Sequence, residues 1–240
     1  MKILTERALL LDDILVIADL HIGLETEIYR SGVSIPSQIN NIEKSILKLL
    51  KHTSAKHLVI LGDLKHQVPG TSYQELREIP EFLKRLSKKV KVIVVKGNHD
   101  AGLEKITDVE IASSKGTKIG KYGFAHGHAW FSKKLLDCEY LIMAHVHPAI
   151  EFKDRMKEPC WIKCDPDSVK IEKKMKKKSK IKKIIIMPSF NPLIGGVAFN
   201  SKQFKSLGPI MNVIRWKTGD IYLLDGTYLG KLNKLRMISS

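Results

Sequence analysis

Five short apolar runs constrain the fold of this chain more than any other feature of its sequence. They are rich in Val, Ile and Leu, and they lie at 14–18, 58–61, 90–95, 122–125 and 140–144. Runs that are apolar throughout, rather than alternating with polar residues, are typical of strands buried on both faces. The sequence therefore predicts sheets that are covered by other layers on each side.

Helical patterns separate the first of these strands. Residues 37–51 carry an apolar stripe at helical spacing after the start signal Pro36–Ser37, and residues 72–89 begin with a capping box from Ser72 to Glu75. Pro80 lies inside the second pattern and is expected to kink or split that helix. The first 100 residues thus predict a β-(β)-α-β-α-β core with right-handed crossovers.

Beyond about residue 105 the sequence predicts mostly strands. The short runs that indicate them lie at Ile111, Ile119, Trp161, 184–187, 213–216 and 221–224. Neither a repeat nor a Pro/Ser-rich linker divides the chain, so residues 1–240 are predicted to form a single domain.

Composition limits the class of protein. With 43% hydrophobic and 28% charged residues over 240 positions, the chain has the make-up of a folded soluble protein. Its apolar stretches are shorter than the roughly 18–20 residues of a membrane helix, and acidic residues interrupt the N-terminal ones, unlike a signal peptide. Three cysteines are too few for a disulfide framework, which favours a cytoplasmic protein with reduced thiols.

The charge is strongly basic, with a formal net charge of +16. Much of it lies in a Lys-rich insertion at about 165–183, which is expected to be a hairpin or loop between strands. This insertion is either an electrostatic arm for a polyanion such as nucleic acid or a solvated segment that only aids solubility. Because aromatic residues do not alternate with its lysines, base stacking on it is not predicted.

The most informative residues stand where each apolar run ends. In order, these segments read Asp19-Leu20-His21, Gly62-Asp63, Gly97-Asn98-His99-Asp100, His126-Gly127-His128 and His145-Val146-His147. Ligands of open α/β sheets bind beyond the carboxyl ends of the strands. The sequence therefore predicts that five strand ends bring Asp, Asn and His side chains to one rim.

Spacing and residue type point to metal binding. Residues i and i+2 of an extended segment face the same way, so Asp19 and His21 are able to reach one ion together. The candidate ligands are Asp19, His21, Asp63, Asn98, His126, His145 and His147. Seven ligands are too many for one ion with an open position, whereas two ions that share Asp63 accommodate them. Mixed N and O ligands favour Mn first, with Fe, Zn, Co and Ni as alternatives.

The order D-x-H, G-D, G-N-H-D, H-G-H and H-x-H resembles that of the calcineurin-like metallophosphoesterases. Four further segments resemble the archaeal SbcD-related and ligase-associated phosphoesterases, namely 32–36, 62–66, 126–130 and 187–196. The resemblance implies an α/β (α+β) fold, a four-layer αββα sandwich with two mixed sheets, around two divalent metal ions. This sequence departs from the family pattern at His66, where many relatives have Asp, and at Ala144, where they have Gly.

The resemblance also implies roles for individual residues. Asp19, His21, Asp63 and His147 would hold the first metal, and Asp63, Asn98, His126 and His145 the second. His99 matches the family's general acid, and Asp100 would orient it. Arg30, His66 and His128 are candidate substrate-binding residues.

The function implied is a metal-dependent phosphoesterase that hydrolyses phosphodiester bonds with a hydroxide activated by two metals, with DNA as one candidate substrate. Two alternatives stay open: a phosphodiesterase for cyclic nucleotides, and a metal-stabilised scaffold that binds nucleic acid or protein without turnover. No membrane partner is expected, and the sequence leaves the oligomeric state undetermined.

Overall fold

Two mixed β-sheets form the centre of the molecule. The computed structural model describes residues 1–201, 204 and 207–235. The first sheet has the order β1 to β6 and is antiparallel from β1 to β3 and parallel from β3 to β6. Its strands are β1 Lys2–Leu4, β2 Ala8–Leu11, β3 Ile14–Ile17, β4 His57–Leu61, β5 Lys91–Val95 and β6 Glu110–Ala112.

The second sheet contains the remaining described strands, in the order β13-β10-β11-β12-β9-β8-β7, with β14 and β15 continuing from β11. Its parallel centre consists of β12, β9 and β8, and a hairpin joins β7 to β8. Its strands are β7 Thr117–Ile119, β8 Tyr122–Phe124, β9 Tyr140–Met143, β10 Pro148–Glu151, β11 Lys157–Cys164, β12 Lys183–Ile186, β13 Val197–Ala198, β14 Asp220–Leu223 and β15 Tyr228–Lys231.

Helices cover the outer faces of both sheets. These are α2 Ile39–Thr53 and α3 Tyr73–Ser87 on the first sheet, with α4 Ser168–Met175 and α5 Leu232–Leu235 on the second. Helix α1 Leu24–Arg30 contributes no residue to the apolar core clusters. The predicted capping box is present at α3, because Ser72 accepts from the amide of Glu75 and Glu75 accepts from the amide of Ser72. Pro80 does not split α3, which runs unbroken through it. The sequence did not predict α1, whose seven residues are too few for a clear helical period.

Alternating burial along the strands explains the layers. In β3, Leu15 and Ile17 pack with α2 and α3, whereas Ile14 and Val16 pack against the second sheet. The second sheet repeats this arrangement. Ile142 of β9 faces the first sheet, and the opposite face of the second sheet packs on α4. The fold is therefore the predicted four-layer αββα sandwich with two mixed sheets.

Two local predictions were wrong. The run 213–216, predicted as a strand, lies where two 3₁₀ turns meet, Ile210–Val213 and Trp216–Thr218, and only Ile214 forms an isolated bridge. The Lys-rich insertion does lie between β11 and β12, but 168–175 forms helix α4 instead of a hairpin or loop. Asp167 caps this helix and Ile171 and Met175 are buried beneath it, which an amphipathic segment permits.

The sandwich also accounts for the cysteines. Cys138, Cys160 and Cys164 are free and buried, and burial raises the pKa of each thiol above its ordinary value. They behave as small core residues, as the prediction of reduced thiols requires. None of the helices in the described part of the chain is long and apolar enough to cross a membrane.

Candidate metal centre

The residues that follow the parallel strands meet at one rim, between the two sheets. The turns after β3 and β4 are joined by hydrogen bonds from Asp19 N to Gly62 O and from His21 N to Asp63 O. His126 follows β8 in the second sheet, and its Nε2 lies 2.8 Å from Asp19 Oδ1 in the first. Strand ends from both sheets therefore converge as the sequence predicted.

The backbone at this rim is left-handed at many of the candidate ligands, although none of them is glycine. The residues with positive φ are Asp19 at 54°, His21 at 46°, Asp63 at 47°, His145 at 74° and His147 at 40°. Such conformations cost on the order of 1–3 kcal/mol each and persist where the surrounding structure imposes them. These strained backbone conformations are therefore imposed by the surrounding fold at the residues whose side chains meet at the rim.

Two glycines allow the turns to approach closely. A Cβ on Gly62 would lie 2.2 Å from the ring of His126, and a Cβ on Gly97 would lie 2.1 Å from Asp63 Oδ1. Because real Cβ atoms do not approach other atoms so closely, any side chain at either position would displace a candidate ligand. This explains why glycine stands before Asp63 and before Asn98.

Asp19, His21 and His147 form one compact set, which we call the Asp19 group. Their ligand atoms lie within 4.8 Å of one another. Asp19 is fully buried, and its Oδ1 lies 3.4 Å from His147 Nε2. Burial alone would raise the pKa of Asp19, but the facing imidazoles of His147 and His126 hold it well below its usual range. This carboxylate is therefore ionised and able to bind a cation.

Asp63, His126 and His145 form a second set, the Asp63 group, within the same 4.8 Å limit. Asp63 Oδ2 lies 3.6 Å from His126 Nε2 and 3.8 Å from His21 Nε2, so this carboxylate faces both groups. Burial raises the pKa of Asp63. Asn98, the other predicted ligand on this side, is exposed at the turn between Gly97 and His99.

Two buried nitrogen atoms show that the site suits a cation. The Nε2 atoms of His21 and His147 have no hydrogen-bond partner among the residues that the structure describes. Burial lowers the pKa of His21 to about 3, so this ring is neutral and its lone pair is available. Leaving buried polar atoms unpaired costs about 1–3 kcal/mol each, which a divalent ion between these nitrogens and the carboxylates would offset.

A third set, His21, His66 and His99, extends the Asp19 group towards solvent. The rings of His66 and His99 are stacked with centroids 5.7 Å apart. His99 Nδ1 lies 2.5 Å from the carbonyl oxygen of His66, which leaves Nε2 facing Asp63 Oδ2 at 4.0 Å. His99 is thus held in one orientation, with a quarter of its side chain exposed.

The predicted partner of His99 has other contacts. Asp100 is fully buried, and its carboxylate accepts from the backbone amides of Gly97 and Lys65 at 2.8 and 3.2 Å. The carbonyl of His66, rather than Asp100, contacts the ring of His99. Asp100 therefore joins the turn after β5 to the turn after β4.

The three predicted substrate-binding residues are placed differently. His128 lies inside the site, with its Nδ1 3.0 Å from His126 Nδ1. Arg30 lies outside it, in an adjoining cavity of about 610 Å³ that Gln67 and Tyr73 also line. His66 stands between these two regions, because its ring contacts His21 while the next residue, Gln67, lines the cavity.

The sequence does not predict several residues that support the site. Ser189 Oγ donates to Asp19 O and Asn191 Nδ2 donates to Leu20 O, so the segment 187–196 fastens the Asp19-Leu20-His21 turn. Buried Glu75 accepts from the amides of His66 and Gln67. The sequence identifies the segment 187–196 as a motif, but the partners of its side chains lie about 170 residues away in sequence.

The chain is similar to known proteins in its sequence profile and in its fold. The family profile described as calcineurin-like phosphoesterase matches residues 13–216. The crystal structure of Pseudomonas putida nuclease MPE is similar with a TM-score of 0.58 and 19% sequence identity, covering 92% of this chain and 90% of that one. YfcE, a phosphoesterase from E. coli, gives a TM-score of 0.41 and 18% identity over 91% and 97% of the two chains. No curated protein matches the sequence significantly.

The family profile covers most of the chain, including every residue of the Asp19 and Asp63 groups. At 19% identity the likeness to the Pseudomonas nuclease concerns the fold alone. The chain belongs to the calcineurin-like phosphoesterase family and is a metal-dependent hydrolase.

Proposed function

We propose that this protein is a phosphodiesterase that uses two divalent ions. The proposed ligands of the first ion are Asp19, His21, Asp63 and His147, and those of the second are Asp63, Asn98, His126 and His145. The observation that carries the proposal is that Asp63 Oδ2 of one Asp/His group also faces His21 of the other. The Asp19 group contains two buried imidazole nitrogens, of His21 and His147, that have no hydrogen-bond partner among the described residues. Manganese is the proposed metal, since carboxylates suit it, and Fe, Zn, Co and Ni are the alternatives for a site that also contains imidazoles.

The chemistry that two such ions supply is a water of lowered pKa and neutralisation of charge on the phosphoryl group. His99 supplies the proton for the leaving oxygen. Its Nδ1–H donates to the carbonyl of His66, so the proton given to the leaving oxygen is that of Nε2–H in the doubly protonated ring, which is left as a neutral imidazole. A general acid in this position typically contributes about 10²–10⁴-fold to the rate.

Asp100 acts on the backbone around His99 rather than on its ring. Its carboxylate accepts hydrogen bonds from the backbone amides of Gly97 and Lys65 and so links these two residues. The backbone amide of His99 in turn donates to Asp63 Oδ1 at 2.9 Å. These contacts fix the turn that carries both Asn98 and His99. We therefore propose that Asp100 orients His99, as the resemblance implies, and that it does so through the backbone of this turn.

We propose nucleic acid as the substrate class, supported by the net charge of +16. The C-terminal end of the Lys-rich insertion lies away from the site, whereas Lys174 of α4 lies 5.4 Å from the ring centroid of Trp130. The amides of Lys180 and Lys182 donate to the carbonyls of Leu136 and Glu139, before β9 begins, whereas the metal centre lies beyond the opposite end of that strand. Any attraction from that end of the segment therefore acts at a distance. His128 in the site and Arg30 in the adjoining cavity remain the proposed substrate contacts.

A substrate screen tests the proposal. The purified protein is assayed with bis-p-nitrophenyl phosphate, single-stranded DNA, duplex DNA and cyclic nucleotides, each with Mn²⁺ and again after chelation. We expect turnover of the diesters with Mn²⁺ and none after chelation. Salt-dependent DNA binding without metal-dependent turnover would contradict catalysis and favour a scaffold. Turnover of cyclic nucleotides but not of DNA would replace the proposed substrate.

A further inference from the structure

Three side chains form a hydrogen-bonded chain from the Asp19 group to the protein surface. His66 Nδ1 lies 3.2 Å from His21 Nδ1, and His66 Nε2 lies 2.6 Å from Glu27 Oε2. The side chain of His66 is 15% exposed and that of Glu27 is 70% exposed, so this series of hydrogen bonds ends in solvent. The three residues come from separate elements: the turn after β3, the turn after β4 and helix α1.

With both imidazoles neutral, the three groups allow one consistent arrangement of protons. A carboxylate only accepts, so His66 donates to Glu27 through Nε2–H. A neutral imidazole has one N–H, which leaves His66 Nδ1 as an acceptor for Nδ1–H of His21. His21 then has its lone pair on Nε2, the buried atom that lacks a partner and faces Asp63.

Histidines that bind metals almost always donate their other N–H to a carboxylate, a carbonyl or water, and this contact fixes the tautomer. Here a second imidazole, itself bonded to a glutamate, takes that place. Both nitrogens of His66 therefore have protein partners, and neither is free for substrate or for a third ion. A third ion among His21, His66 and His99 would also have to break the bond between His99 and the carbonyl of His66.

We propose that His66 is a positioning residue which, with Glu27, holds His21 in the tautomer that presents Nε2 to a divalent ion. The proposal rests on the proposed function, and it replaces the substrate-binding role that the sequence suggested for His66. The backbone of His66 is itself fixed, because its amide donates to buried Glu75 and its carbonyl holds His99. One residue thus connects a metal ligand to the proton donor.

Four variants distinguish the role of the His66 ring from that of its backbone, two of them at His66 and two at glutamates. His66→Phe keeps the carbonyl that holds His99 but removes both ring nitrogens, whereas His66→Asn places an amide oxygen near the position of Nδ1 and restores an acceptor for His21. Glu27→Gln removes the negative charge at the solvent end of this series of hydrogen bonds. Glu81→Gln is the matched control, because Glu81 is an exposed glutamate on α3 that pairs only with nearby Lys84 among the described residues.

The first measurement is Mn²⁺ binding by calorimetry to the full-length protein without substrate. We expect His66→Phe to weaken binding by about 10–100-fold, the usual cost of losing such an outer partner. His66→Asn should recover most of that loss, Glu27→Gln should fall between wild type and His66→Phe, and Glu81→Gln should bind like wild type. Wild-type Mn²⁺ affinity in His66→Phe together with a raised KM would overturn the proposal in favour of substrate contact.

The second measurement is independent of metal and of catalysis. Long-range ¹⁵N–¹H spectra of the chelator-treated wild-type protein at neutral pH report which nitrogen of His21 carries the proton. We expect Nδ1–H in wild type and His66→Asn, and a shift towards Nε2–H in His66→Phe. An Nε2–H tautomer in wild type would overturn the proposal even if the enzyme is active. Failure of the proposed function would instead appear as absence of turnover with this tautomer intact.

Discussion

The two halves of the metal centre are alike near the expected ions and different behind them. The Asp19 group and the Asp63 group each combine one carboxylate with two imidazoles. Each half has one imidazole with a lowered pKa, about 3 for His21 and about 4 for His145, where burial is the main cause. Each also has one with a raised pKa, His147 and His126, where nearby carboxylates outweigh burial.

Behind these groups the halves diverge. His21 and His126 are each backed by a second imidazole through Nδ1, at 3.2 Å for His66 and 3.0 Å for His128. The ring of His66 continues to the carboxylate of Glu27, whereas that of His128 packs beside His145 with centroids 5.9 Å apart. The inner residues are those that would hold the two proposed ions, and the outer residues differ between the two halves.

Replacing the carboxylate that faces both halves should have the largest effect. In Asp63→Asn the amide oxygen is able to keep the bond from the amide of His99, but the charge between the two groups is lost. We expect both ions to be lost and turnover to fall by far more than the about 10–100-fold cost of an outer partner. The measurement is bound Mn²⁺ per protein by elemental analysis, with the rate of diester hydrolysis.

Asp19→Asn is the matched control for that experiment. Asp19 belongs to one group but also contacts His126 of the other, at 2.8 Å. If Asp63 is the shared ligand, Asp19→Asn retains one of the two ions. Loss of both ions in Asp19→Asn with one retained in Asp63→Asn would identify Asp19 as the shared ligand.

The next effect concerns His99, which adjoins the Asp19 group. His99→Asn keeps a donor for the carbonyl of His66 but has no proton to give from the position of Nε2. We expect Mn²⁺ binding to persist and turnover of an alkyl diester to fall by about 10²–10⁴-fold. The loss should be smaller for bis-p-nitrophenyl phosphate, because its leaving group needs little protonation. An equal loss with both leaving groups would exclude the general-acid role.

The difference between the halves also marks what the sequence is able to predict. Asp19, Asp63 and His126 follow continuous apolar runs, and the rule that parallel strands present their carboxyl ends together was enough to place them at one rim. The pairing of His66 with Glu27 joins residues 39 positions apart on a turn and a short helix, and no periodic pattern carries that information. Likewise, the run 213–216 has strand-like residues but becomes two 3₁₀ turns, because tertiary contacts override propensity in short segments.

A smaller effect tests the outer residue of the Asp63 half. His128→Phe removes the imidazole that contacts His126. It breaks no contact with a carboxylate, because the described contacts of the His128 ring are with His126 and His145. We expect Mn²⁺ affinity to fall less in His128→Phe than in His66→Phe, since only His66 transmits the charge of a glutamate. Calorimetry on the two variants side by side checks this order. A greater loss in His128→Phe would show that the contact with Glu27 adds nothing to metal binding.

The smallest expected effect is a change in how stability depends on pH. Burial lowers the pKa of His128 to about 4, with the charge of His126 as a second cause. The unfolded chain therefore takes up this proton near pH 6.5, whereas the folded protein does so only near pH 4, so this residue costs stability as pH falls through that window.

His126 and His147, whose pKa values are raised, act in the opposite direction and stabilise the fold below about pH 6.5. Chelator-treated His128→Phe should consequently show a shallower loss of its urea midpoint than wild type between pH 6.5 and 4.5, whatever its stability at neutral pH. Equal slopes would mean that His128 is protonated alike in both states. The asymmetry between the two halves would then be one of hydrogen bonding alone.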